Sequence, residues 1–381
     1  GFRYIFSRFN ETSTLSDIEK AMLVVLKSDT EYAKKYNELA SIALRSVDEQ
    51  RITENAARLL YGERLMGSVS RMETFAACAF AHFAKYGLEL EERKLYEIGA
   101  ADLGTLFHEA LKIYSMRLAD EKLDFASVGD RRKEYIREAV EYAMTDYNNS
   151  VFYDSKRNEY MREKIYSMLE RTAWALGKQT QAGSFVPEKF EKSFIFEQNG
   201  MKIVGKIDRI DIARADDRSY VKIIDYKSGK RTLDLGRIYD GLSLQLMVYL
   251  YSLMKDNEPG AAMYYNIDNP IVDYKEGVSA EDGILSSLQP QGIVNSDSTV
   301  LKLLDNVTTS GKSCYIPVSY NKDGSLSKTS QAASCDRLKL LGEYASMKLV
   351  ELGERISEGE VAPNPYPDSC DYCPYRLVCG F

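Results

Sequence analysis

The sequence predicts an α/β (α+β) fold, a central mixed sheet flanked by helices and preceded by an N-terminal helical segment, on three observations. Through most of the first 180 residues apolar side chains recur at three- and four-residue spacing, the signature of amphipathic helices. Between Glu191 and Asp225 the period drops to two and β-branched residues accumulate, in EKSFIFE, MKIVGKIDRIDIAR and SYVKIIDYKSG. Helical spacing then returns for about 331–358.

Taken in order, Ile18, Met22, Leu23, Val25 and Leu26, then Ala56, Leu59 and Leu60, make residues 1–66 helical, with Ser16-Asp17 as a start signal. Further helices are expected at about 70–86, 99–118, 130–147 and 154–180. Gly200 and the polar run Ala215 to Ser219 punctuate the alternating strands as hairpin-like turns. A helix follows at about 240–255 and a strand at 261–267. The stretch 270–330, with many Gly, Ser, Asp and Pro residues, reads as loop-rich insertion material with one short strand, CYIPVSY. A Pro- and Cys-rich tail closes the chain, and no internal repeat is present.

At 381 residues the chain is long enough for two to three domains at about 150 residues each. Its 44% hydrophobic and 28% charged residues exclude disordered and fibrous classes. The longest apolar stretch, Phe75 to Ala84, is half of the ~18–20 residues a membrane span needs and is interrupted by His82, so no membrane contact is expected. Gly1 is not followed by a basic-then-apolar leader, so the expected location is cytoplasmic. Fifty basic against 57 acidic residues leave a net charge of −7, which argues against non-specific coating of duplex DNA but not against a local basic channel. Six cysteines in so long a chain do not make a disulfide scaffold.

The strongest local signal is Asp225-Tyr226-Lys227 at the end of the apolar strand VKIIDYK. Asp225 and Lys227 are two apart and share a strand face. By itself the pair is equally consistent with a surface ion pair. GKIDRID, one hairpin earlier, carries Asp208 and Asp211, and antiparallel pairing could bring Asp208 beside Asp225. Two carboxylates held together repel unless a cation lies between them. Mg²⁺ suits such hard oxygen ligands, leaving positions for water and a substrate phosphate, and Lys227 is placed to orient the water or stabilise developing charge.

Asp208, Asp225 and Lys227 resemble the restriction-endonuclease-like PD-(D/E)XK nuclease core, in its RecB-like branch. Gly104-x3-His108 matches that branch's histidine helix, Glu191 its acidic residue before the first core strand, and Gln245 with Tyr249 its later helix. The resemblance implies a Mg²⁺- or Mn²⁺-dependent deoxyribonuclease in which Asp208, Asp225, Lys227, Glu191, Gln245 and Tyr249 form the catalytic set. It implies metal ligation by His108, Asp208, Asp225 and the backbone carbonyl of Tyr226. Glu188 and Glu197 are alternatives to Glu191; Asp211 reads as a structural or supporting partner, and His82 as structural.

Cys370, Cys373 and Cys379 form C-x2-C-x5-C within the final twelve residues. Three thiolates need a fourth ligand, whether for zinc or for an iron–sulfur cluster, which can recruit a distant cysteine. The resemblance points to Cys78 and a [4Fe–4S] cluster stapling the two ends of the domain, with Cys314 and Cys335 as free thiols. One departure is Ala79, where Pro commonly follows that cysteine.

The region from LLYGERLMG to FHEAL is similar to the C-terminal nuclease domain of the AddB family of helicase–nuclease subunits. This implies that residues 1–66 end a preceding helicase-like region, that 67–381 form the nuclease domain, and that AddA is the partner. It further implies action on single-stranded DNA from unwound duplex ends, on the strand ending 5′ at a double-strand break, in repair and recombination. Alternatives are a catalytically silent DNA-binding scaffold, a stand-alone iron–sulfur exonuclease of the CRISPR-associated type, and a single-strand binding module using the 27 tyrosines as stacking platforms. NVTTSGKS (306–313) is expected to be a false phosphate loop, lacking the first glycine and a strand leading into it.

Overall fold

The computed structural model describes residues 16–28, 32–34, 36–37, 51–91, 99–146, 152–153, 155–273, 276–277 and 279–379. Parts of the expected 1–66 helical segment lie outside the described residues. Within it, α1 (Asp17–Ser28) and α2 (Glu54–Tyr61) are helical. Ser16 Oγ accepts the Glu19 N–H, and Thr53 caps α2. The expectation of helix up to residue 66 is corrected at its end. Leu65–Gly67 form β1, which pairs in parallel with Met201–Ile203. Leu65 is buried and Met66 exposed, an alternation too short to register as a strand in sequence.

The helices α3 (Val69–Ala77), α4 (Ala79–His82), α5 (Ala100–Asp120), α6 (Arg132–Asp146) and α7 (Lys156–Ala182) precede the strands. The helix expected at 70–86 is broken at Cys78, whose backbone is extended (φ −171°, ψ 120°). The strands β2 (Val186–Gln198), β3 (Met201–Ala215) and β4 (Arg218–Lys227) form an antiparallel meander. Both connections are two-residue turns with positive φ at each central residue: Asn199 and Gly200 (48°, 73°), then Asp216 and Asp217 (50°, 58°). That geometry matches the right-handed twist of the strands it joins.

After β4 come α8 (Leu235–Tyr239) and α9 (Gln245–Leu253), which return the chain to β5 (Glu258–Asn266), parallel to β4. The 270–330 stretch is more than loop. It holds α10 (Ala280–Ser287), β6 (Gln291–Asn295), α11 (Ser298–Leu304) and the small hairpin β7 (Gly311–Lys312) and β8 (Ser319–Tyr320). β6 pairs antiparallel with β5, and β9 (Ala332–Ala333) pairs parallel with β6. Only the last two residues of the expected strand CYIPVSY are strand. The long α12 (Cys335–Ser357) and short α13 (Arg376–Cys379) finish the chain.

The result is one mixed seven-stranded sheet between helical layers. On β4, Val221 and Ile223 face a core built from α3, α9 and α12, while Ile224 and Tyr226 face a second core built from α5, α6 and α7. This alternation puts Asp225, two beyond Ile223, on the α9 side at the strand's end.

Candidate active site

The β3–β4 ladder ends at the pair Arg209 and Ile224, and side chains take over from there. The Tyr226 N–H donates to Asp208 Oδ2 at 2.7 Å, so the Asp208 carboxylate completes the hairpin in place of a backbone carbonyl. Asp208 and Asp225 are 9% and 3% exposed, so neither carboxylate is solvated as a free anion would be.

Three elements converge on this pair. From α5, His108 Nδ1 lies 3.2 Å from Asp208 Oδ1, its ring edge-on to Tyr226 at 6.3 Å. From β2, Glu191 has left-handed backbone (φ 48°), and the pairing of Phe190 with Arg209 and Lys192 with Ile207 leaves it opposite Asp208. Ligand atoms of His108, Glu191 and Asp208 lie within 4.8 Å of one another. From α9, Gln245 Oε1 accepts from Lys227 Nζ at 3.2 Å, and Gln245 Nε2 donates to the Tyr249 hydroxyl at 3.4 Å. Lys227 Nζ also meets Asp225 Oδ2 at 2.5 Å. Glu188 and Glu197 are engaged elsewhere, with Arg214 and with Arg64 and Lys202.

The electrostatics follow from burial. Burial, then the neighbouring Asp208, push Asp225 up to about 6 despite Lys227. The same two causes raise Glu191. Burial works against protonation of His108, but its hydrogen bond to Asp208 and the charges of Asp208 and Asp225 carry its pKa upward. The cluster is short of positive charge. A histidine nitrogen and three carboxylates, buried and mutually repelling, are a donor set that fits a hard divalent cation.

Behind the site, Asp211 is fully buried and takes both Arg209 Nε (2.6 Å) and Lys222 Nζ (2.8 Å), with the Arg209 guanidinium over the Phe125 ring. It pairs inside the protein, away from the cluster of His108 and Glu191. His82 is also buried, accepting from Arg71 Nε at 3.1 Å among the rings of Tyr61, Phe75 and Tyr86. One residue near the site escaped the sequence reading. Glu73 on α3 reaches the first turn of α9, and its signal was an acid four residues after Val69 on an otherwise apolar helix stripe.

The cysteines form a second centre. Cys78, Cys370, Cys373 and Cys379 line one open cavity of about 1270 Å³ with Phe80, Tyr86 and Tyr375. Burial, then the neighbouring Cys373, Cys78 and Cys379 thiols, raise the pKa of Cys370. The tail is docked on the α3–α4 break: Tyr366 N–H donates to Ala77 O at 2.8 Å, and the Tyr375 hydroxyl to Leu90 O at 3.0 Å. Ala79 N–H donates to Asn364 Oδ1 at 2.8 Å, a bond that a proline there could not make. Four thiols around one cavity fit a metal cluster. Cys314 lies beside the Asp282 carbonyl, and Cys335 Sγ donates to Glu258. In 306–313, Gly311-Lys312 is half of a small hairpin and Ser313 donates to Asp305, with no phosphate-loop geometry.

Residues 67–380 match the family model described as the PD-(D/E)XK nuclease superfamily. Among curated proteins, the chain is similar to the AddB subunit of the ATP-dependent helicase/deoxyribonuclease of Lachnoclostridium phytofermentans, 40% identical over 87% of this chain and 31% of that protein. The AddB proteins of Clostridium tetani and Bacillus subtilis are each 33% identical, over 88% and 96% of this chain and 31% and 34% of their own lengths. The chain thus spans about a third of the length of these relatives.

Proposed function

The chain belongs to the PD-(D/E)XK nuclease superfamily, and we propose that it is the metal-dependent deoxyribonuclease part of an AddB-type protein. In this reading it hydrolyses phosphodiester bonds of single-stranded DNA fed to it by an AddA-type helicase–nuclease partner during double-strand-break repair and recombination. Residues 67–381 form the nuclease unit and residues 1–66 the end of a preceding helicase-like region. The observation that carries the reading is the convergence of His108, Glu191, Asp208, Asp225 and Lys227 at the open end of the β3–β4 hairpin.

His108, Glu191, Asp208, Asp225 and the Tyr226 carbonyl would hold Mg²⁺ or Mn²⁺, which when bound polarises the scissile phosphate and acidifies a water. Lys227, held between Asp225 and Gln245, presents a cationic donor that orients the attacking water and neutralises charge as it builds on the phosphate. Tyr249 supports Gln245 from the next helical turn. Cys78, Cys370, Cys373 and Cys379 would hold a [4Fe–4S] cluster, whose contribution is a covalent tie between the segment before the sheet and the tail after it.

The test is cleavage of end-labelled single-stranded DNA with Mg²⁺ or Mn²⁺ by the full-length assembled protein, wild type beside Asp225→Ala. Metal-dependent cutting reduced at least about a hundredfold in the variant is expected. Equal cutting by both would sink the assignment. Cutting by neither would favour the silent scaffold.

A further inference from the structure

Helix α9 begins without a cap of its own. Leu244 stands at the N-cap position with no side chain able to accept a backbone N–H. The acceptor comes instead from a distant element. Glu73 Oε1, on α3, takes the Leu244 N–H at 2.8 Å and the Gln245 N–H at 3.2 Å, across 171 and 172 residues of sequence. Ser243, one position earlier in the chain, is of a type that caps helices locally. The long-range clamp therefore does something a local cap would not: it fixes α9 relative to α3.

What the clamp holds is the residue that touches the site. Gln245 is the first residue of α9, and its Oε1 is the oxygen that receives Lys227 Nζ. The groups facing the Glu73 carboxylate are Lys227 and Arg231, with Tyr249 and Tyr264 also in its field. From this geometry we infer that Glu73 is a positioning residue of the nuclease centre, clamping the first turn of α9 so that Gln245 holds Lys227 against Asp225. The inference rests on the nuclease reading above. Burial pushes the Glu73 carboxyl up to about 7 against the pull of these two N–H groups, Lys227 and Arg231, so the clamp is built from a costly buried group where a serine would suffice for helix formation alone.

The test is steady-state cleavage of single-stranded DNA by the full-length assembled protein carrying Glu73→Ala, Glu73→Gln, Gln245→Ala or the Glu73→Ala/Gln245→Ala pair. Glu73→Ala is expected to lower kcat at least about tenfold with KM within about threefold, and Glu73→Gln, which keeps an oxygen at Oε1, to recover kcat to within about threefold of wild type. On the Gln245→Ala background the alanine change is expected to cost less than about twofold, because Glu73 acts through Gln245. Wild-type kcat in Glu73→Ala, or losses that simply multiply, would overturn the inference. If Glu73→Ala does not fold, Glu73→Asp, one methylene too short, takes its place with the same expectations.

Hydrogen exchange separates this inference from the nuclease reading. Amides of residues 242–248 are expected to exchange faster in the Glu73 variant while those of α12 do not change. Unchanged exchange at 242–248 overturns the clamp whether or not the wild type cuts DNA; a wild type that cuts nothing, with the exchange difference present, sinks the nuclease reading instead.

Discussion

Two histidines in one chain are driven in opposite directions by what surrounds them. His108 faces carboxylates and is held toward its cationic form, whereas burial and then the Arg71 charge drop His82 to about 3. The consequence for stability has a definite sign. In the unfolded chain His82 takes up a proton near its ordinary value of 6.5, but the folded protein refuses it until about 3. Below about pH 6.5 the unfolded state therefore binds more protons, and this one residue lowers stability by up to about 1.4 kcal/mol per pH unit as acid is added. His82→Gln, which keeps an acceptor for Arg71, is expected to flatten the acid limb, measured by thermal unfolding between pH 4.5 and 7. Parallel limbs in the two proteins would refute it. At this scale the sequence was legible wherever residue types and spacing carry the chemistry. Asp208, Asp225 and Lys227 stand out for that reason, and Glu73 does not, because its partners are backbone N–H groups more than 170 residues away.

Whole elements meet at the site through close approaches that only small residues permit. Helix α9 crosses β3 at Gly205, where an added Cβ would come within 2.5 Å of the Tyr249 hydroxyl and where the Phe194 ring packs on Tyr249 at 5.0 Å. Gly205→Ala is expected to push Tyr249 off Gln245, lowering kcat about tenfold and stability by about 1–3 kcal/mol. Single-turnover cleavage and denaturant unfolding would check it, and wild-type values in both would show that the helix can shift without cost. The β2–β3–β4 meander was legible because alternation and turn residues agree: Asn199-Gly200 and Asp216-Asp217 take the positive φ values that a tight hairpin requires. Strand β6 was not. Its five residues, Gln291–Asn295, sit among Gly, Ser and Asp and become a strand only by pairing with β5, where Gly292 lies too close to the Ala262 carbonyl for any side chain.

Across the molecule, the tail folds back on the segment that precedes the sheet. Arg51 and Glu360 form a bridge, Tyr366 bonds Ala77, and the four cysteines close around one cavity. A cluster bound there ties together residues nearly 300 positions apart, a cross-link worth on the order of 5 kcal/mol in chain-entropy terms. Cys373→Ser is expected to bleach the brown colour of protein purified without oxygen and to lower its melting temperature by roughly 10 °C. A colourless wild type holding one zinc ion would sink the iron–sulfur assignment. Among the described residues no helix is long and apolar enough to cross a membrane.

The sequence by itself determined the class of fold, the order of its elements and the residue types of both centres, because periodicity, turn chemistry and motif spacing are local properties of the chain. Only the tertiary structure decided which of these residues meet. It set Glu191 opposite Asp208 through a left-handed residue in β2, brought β1 and β6 into the main sheet, broke the first long helix at Cys78, and laid Glu73 against α9. The reason is physical: each of these features exists through a partner far away in the chain. Backbone pairing, burial and shared charge act across space, and the local pattern of residues holds no record of them.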